Sequence, residues 1–116
     1  MSTSLESIVF DCADAATLAA FWAGVLSTEV DADGNESFAT VNRAADGLTL
    51  MFQQVPEPRT SKNRLHVDLA TADWSDEVDR LVGLGAKRLD DHHEYGVHWI
   101  TLADPEGNVF DLAEHS

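Results

Sequence analysis

His66 and Asp68 stand two residues apart in the alternating stretch Arg64-Leu65-His66-Val67-Asp68-Leu69. In an extended chain both side chains then face one way. A carboxylate beside an imidazole can orient it as a general base for proton transfer. Asp111 sits in a second alternating stretch, Val109-Phe110-Asp111-Leu112, opposite the apolar positions. It is a candidate base or metal ligand. The ordinary alternatives are a surface histidine beside an acid and a solvated strand-end carboxylate. His92, His93 and His98 form a second histidine group around an expected hairpin, with Tyr95 and Gly96 in the connection. His92 and His93 are adjacent, so a strand would send them to opposite faces, and an exposed loop pair is the plainer reading. No phosphate-cradling glycine loop, serine-nucleophile elbow or zinc-knuckle spacing occurs.

The elements that must position these residues occur twice, about sixty residues apart. A strand around Ser7-Ile8-Val9-Phe10 leads to a helix over 14–26, opened by Asp14 as N-cap. Leu18, Phe21, Trp22, Val25 and Leu26 form its apolar stripe. Strands over 29–32, 37–42 and 48–55 follow, the last one preceded by Gly47. The pattern restarts with a strand over 64–70 and a helix over 73–84. That helix carries Trp74, Val78, Leu81 and Val82 on one stripe and stops at Gly85. Strands over 87–91, 97–102 and 108–113 complete the second half. Asp104-Pro105-Glu106-Gly107 fits a tight turn before the last of them. We therefore read module one as 1–55, a Pro-containing linker as 56–63 and module two as 64–116, together one domain.

Strand phase divides the side chains. Ile8, Phe10, Leu48, Leu50, Phe52, Leu65, Val67, Leu69, Phe110 and Leu112 should pack under the helices. Ser7, Met51, Gln53, His66, Asp68 and Asp111 then share the other phase and should line a cup between the halves, a concave ligand site. Trp99 either lines that cup and stacks on a flat ligand or packs in the core. Cys12 falls on the helix side, as a small buried hydrophobe.

Composition sets the outer limits. With 116 residues, neither half is large enough to be comfortably stable alone. The net charge of −14 disfavours nucleic acid and anionic membranes as partners and could attract a cationic ligand, though a solvated acidic surface is the plainer reading. No apolar run approaches the ~20 residues of a membrane span. The first residues lack a basic start and an apolar core, so no signal peptide is expected. A single cysteine excludes an intrachain disulfide and fits a reducing cytoplasm.

Taken together, Cys12-Ala13-Asp14 with the helix after it, Gln54-Val55-Pro56-Glu57-Pro58, Asn63 to Leu69, and Leu102-Ala103-Asp104-Pro105-Glu106-Gly107-Asn108 resemble the glyoxalase/bleomycin-resistance family. This is the vicinal oxygen chelate superfamily, and the likeness is to its compact glyoxalase-like branch. It covers essentially the whole chain. The resemblance implies an α+β fold of two tandem βαβββ modules forming a partly open eight-stranded barrel or cup, often a homodimer. It also implies metal-ligand places at Ser7, His66, Met51 and Asp111. Ser7 and Met51 are poor ligands for a hard cation, so no tightly bound metal is expected; a weakly bound divalent ion would fall to His66 and Asp111. Two functions follow: a lyase or isomerase in which His66 or Asp111 moves a proton, or a metal-free protein that binds or sequesters a small molecule without catalysis.

Overall fold

The computed structural model describes residues 5–43, 48–58, 65–94 and 96–114. Gly47, Arg64, Tyr95 and linker positions 59–63 lie outside the described residues. The chain divides into two compact units, Met1–Arg59 and Thr60–Ser116. Unit one contains β1 (Ser7–Cys12), α1 (Ala15–Val25), β2 (Phe38–Val41) and β3 (Thr49–Gln54). Unit two contains β4 (Asp68–Thr71), α2 (Trp74–Leu84), β5 (Lys87–Glu94), β6 (Val97–Ala103) and β7 (Val109–Glu114). The class is α+β, as expected. The sheets have the orders β1-β3-β2 and β4-β7-β6-β5, and neither closes into a barrel. In each unit the first strand pairs in parallel with the last, and the remaining pairs are antiparallel.

Seven strands form among the described residues where the sequence suggested eight. The expected strand over 29–32 shrinks to one bridge, Val30 to Val41. Beyond it the Asp31 amide still donates to the Thr40 carbonyl at 2.9 Å, and the Asp31 side chain accepts from Thr40 Oγ1 at 2.7 Å and from the Arg43 amide at 2.9 Å. The expected strand over 64–70 starts later, at Asp68. Leu65 is therefore exposed rather than packed under a helix, as are Leu26 and Val82 at their helix positions. The strand expected to end at Asp91 runs on through Glu94, so His92 and His93 are strand residues and not a loop pair.

Local chemistry explains the helices. Asp14 Oδ1 accepts the Thr17 amide at 3.1 Å and caps α1. Leu18, Phe21, Trp22 and Val25 of α1 are buried. Phe10 of β1 bridges to that core, its ring 5.0 Å from Phe52 and 5.6 Å from Trp22. Each such side chain, fully buried, contributes about 1.5–3 kcal/mol. In unit two, α2 buries Val78 and Leu81, while β6 and β7 bury Ile100, Leu102, Phe110 and Leu112. Gly85 ends α2 with a φ of 124°, a conformation costly for any residue with a Cβ. Asp73 makes no side-chain cap bond. Asp76 and Glu77 instead place negative charge at the positive end of the helix. Gly107 N donates to Asp104 O at 2.9 Å, closing the turn before β7. No helix among the described residues is long and apolar enough to cross a membrane.

Candidate functional site

Alternation along β6 and β7 sorts unit two into two faces. Ile100, Leu102, Phe110 and Leu112 point to the buried face. On the other face, cross-strand pairing aligns Asp68 with Asp111, Asp111 with Thr101, and Thr101 with Asp90. Sheet register thus places three carboxylates and a hydroxyl in one row. His66 lies just before β4. Its Nε2 is 3.2 Å from Asp68 Oδ1 and 3.5 Å from Asp111 Oδ2. The Val67 carbonyl accepts from the Asp111 amide at 3.1 Å and ties this segment to β7. Thr101 Oγ1 donates to Asp111 Oδ1 at 2.6 Å.

Asp111 is therefore held by a neutral hydroxyl through one oxygen and turned toward the imidazole through the other. The side chain of Asp111 is 23% exposed and that of His66 is 51% exposed, so a solute reaches the imidazole without moving the sheet. The arrangement can accept, hold and return a proton. One residue pair along the same face, Trp99 stacks on His92 with ring centroids 4.9 Å apart and planes 18° apart. Both are half-buried, forming a flat aromatic platform on the face that carries Asp111.

The remaining site positions read from sequence lie in unit one. Ser7 pairs with Thr49, and Met51 with Val9, in the β1–β3 ladder. Gln53 Nε2 donates to Asp11 Oδ1 at 2.8 Å, so its amide is already engaged. The Val9–Met51 pairing of unit one corresponds to the Asp68–Asp111 pairing of unit two, each joining the first strand of its unit to the last. Cys12 is buried, with Sγ 3.4 Å from the Gln53 carbonyl.

A divalent cation fits the donors at the first cluster: His66, Asp68 and Asp111 each offer one ligand atom, all within 4.8 Å of one another. One imidazole and two carboxylates suit a hard-to-borderline ion. Asp68 adds a third donor to the two that the sequence pointed to.

A second group takes His93 and His98 from the histidines that the sequence set apart and adds Asp91 in place of His92. Asp91, His93 and His98 also bring three ligand atoms within 4.8 Å. His98 Nε2 donates to Asp91 Oδ1 at 2.6 Å, and Arg88 Nη2 donates to Asp91 Oδ2 at 2.8 Å. The hydrogen bond from His98, and then the Arg88 guanidinium, hold the Asp91 carboxyl below its ordinary value. Trp74, half-buried on the α2 stripe that carries Val78 and Leu81, lies against His98, with centroids 4.2 Å apart. The only sequence signal was the histidine count; Asp91 and His98 meet solely through the β5–β6 register.

The glyoxalase-like domain family matches residues 7–113, and the chain belongs to it. With its two-unit α+β fold this places it in the vicinal oxygen chelate superfamily. A glyoxalase/bleomycin resistance protein/dioxygenase family enzyme from Burkholderia phytofirmans PsJN superposes with a TM-score of 0.78 at 16% identity, covering 97% of this chain and 98% of that one. A glyoxalase-related enzyme from Fulvimarina pelagi gives 0.75 at 17% identity, over 97% and 88%. The genomically encoded fosfomycin resistance protein FosX from Listeria monocytogenes gives 0.75 at 15% identity, over 100% and 96%. Likeness at these identities shows the fold. No curated protein matches the chain in sequence.

Proposed function

We propose that this protein, acting as one glyoxalase-like domain, binds a small organic molecule at His66, Asp68 and Asp111 and acts on it as a lyase or isomerase by proton transfer. The observation that carries this reading is the placement of His66 Nε2 3.5 Å from an Asp111 carboxylate whose other oxygen is clamped by Thr101. His66 takes a proton from a carbon or hydroxyl of the substrate. Asp111 and Asp68 orient the ring and balance the imidazolium that forms. Trp99 and His92 offer a surface on which a flat group stacks. With a divalent ion held by His66, Asp68 and Asp111 instead, the imidazole would serve as a ligand and not as the base, and the ion would polarise a substrate oxygen. Three protein donors would leave at least one coordination position to water or substrate. We further propose a homodimer in the cytoplasm, with neither nucleic acid nor membrane as partner.

A second reading is metal-free binding or drug sequestration without catalysis. The net charge of −14 favours it for cationic ligands, and Ser7 and Met51 supply no strong metal ligand. Thermal-shift screening of tag-free protein against small-molecule panels, with and without Mn2+ or Zn2+, tests both, since a ligand that prefers the folded state raises its melting temperature. A hit lost in His66→Ala and turned over by the wild type supports the enzyme. A hit bound equally well by His66→Ala and Asp111→Asn removes this site from consideration. Met51→Ala and Gln53→Ala, screened alongside, report any contribution from unit one.

A further inference from the structure

We propose that Asp91, His93 and His98 form a second metal site, independent of the function above, that takes a borderline divalent transition metal such as Zn2+ or Cu2+. Strand parity separates it from the first site. His98 shares its face of β6 with the buried Ile100 and Leu102, and Asp91 and His93 pair directly across from Ile100 and His98. Thr101 and Trp99 have the opposite phase. The two clusters therefore occupy opposite faces of one sheet.

Donor chemistry sets the class of ion. Two imidazoles and one carboxylate suit Zn2+, Cu2+ or Ni2+ and disfavour Mg2+ and Ca2+, which prefer all-oxygen shells. A tetrahedral ion about 2.0–2.2 Å from each donor needs donors roughly 3.3 Å apart. The three ligand atoms already lie within 4.8 Å, so side-chain rotation alone closes the gap. The His98 ring is stacked on His93 at 3.8 Å and 11°, so the two rings must turn out of their parallel stack for both nitrogens to aim at one ion; Trp74 packs against His98 at 4.2 Å. Arg88 occupies Asp91 Oδ2 and leaves Oδ1 as the donor facing the histidines. The guanidinium opposes an incoming cation, and the acidic balance of the whole chain offsets it. Binding displaces the proton that His98 donates to Asp91. The ion would then bridge β5, the sheet's edge strand, to β6.

The test uses tag-free full-length protein, stripped with a chelator, in a His66→Ala/Asp111→Asn background that silences the first cluster. Zn2+ titration by calorimetry should show one saturable site per chain, with Mg2+ giving none. His98→Gln and His93→Asn should each weaken Zn2+ at least about tenfold, since even outer-shell partners change affinity 10- to 100-fold. Cu2+ should quench tryptophan fluorescence, and Trp74→Phe should remove most of that quenching. If His98→Gln perturbs folding, His93→Asn and Asp91→Asn, at exposed positions, carry the test. No saturable Zn2+ in the background variant, equal binding of Mg2+, or Zn2+ affinity unchanged in His93→Asn and Asp91→Asn would each overturn the proposal.

Discussion

Thr101 and Asp111 are cross-strand partners whose side chains meet at 2.6 Å, hydroxyl to carboxylate. The contact fixes which oxygen of Asp111 remains for His66. Thr101→Val keeps the shape and removes the donor. It should cost only about 1 kcal/mol of stability, the usual net value of one hydrogen bond. Ligand binding or turnover should fall more steeply, because Asp111 becomes free to rotate away from the imidazole. Melting temperature measured beside activity separates the two effects; equal losses in both would make Thr101 a packing residue.

His66 is half exposed and contributes little to the apolar core. His66→Ala should leave the melting temperature nearly unchanged and abolish the response to ligand. A large fall in melting temperature with binding intact would show that the residue serves the fold alone.

Acid should destabilise the protein partly through Glu77. The hydrogen bond from Arg80, at 2.7 Å, holds its carboxyl below the ordinary value of 4.5. A depressed carboxyl stabilises the fold above its unfolded value and loses that contribution as pH falls through the folded one. Asp91, held down by His98 and Arg88, acts with the same sign below 3.8. Glu77→Gln should therefore flatten the stability profile below pH 4.5 and change the slope little at pH 6. Urea midpoints across that range provide the check, and an unaltered acid limb would show that the ion pair is energetically silent.

Asp104 is 3% exposed, and its carboxylate accepts the Glu106 and Asn108 amides and Asn108 Nδ2, all at 2.8–2.9 Å. Asp104→Ala strands three donors in the turn that feeds Asp111 into β7. A loss of at least about 2 kcal/mol is expected. Equilibrium unfolding measures it, and a loss under 0.5 kcal/mol, the range of a neutral surface change, would contradict this account.

Much of the fold was legible because period and punctuation are local properties. Alternation marked β1, β3 and β7, while Asp14 and Gly85 bounded the helices. Where a run is short the pattern misled: the strand expected over 29–32 is a single bridge that gives way to a turn with Asp33 at a φ of 71°. The run His92-His93-Glu94 has no apolar alternation, yet it extends β5, where His92 meets Trp99 and His93 meets His98 across the ladder. The same limit applies to the site. His66 and Asp68 are visible as neighbours two apart. Thr101 joins Asp111 through the β6–β7 register, and Asp91 joins His98 through β5–β6, both invisible to local spacing.

The shared register of the two units has an engineering consequence. Val9 stands opposite Met51 as Asp68 stands opposite Asp111, and Val9 is 48% exposed. The backbone of unit one already has the spacing for a carboxylate pair, and what differs is the chemistry of two side chains. Val9→Asp with Met51→Asp would copy the acidic pair into the first sheet without burying a new charge at Val9. The first sheet thus offers the same socket in its backbone, with an apolar pair where the second sheet carries an acidic one.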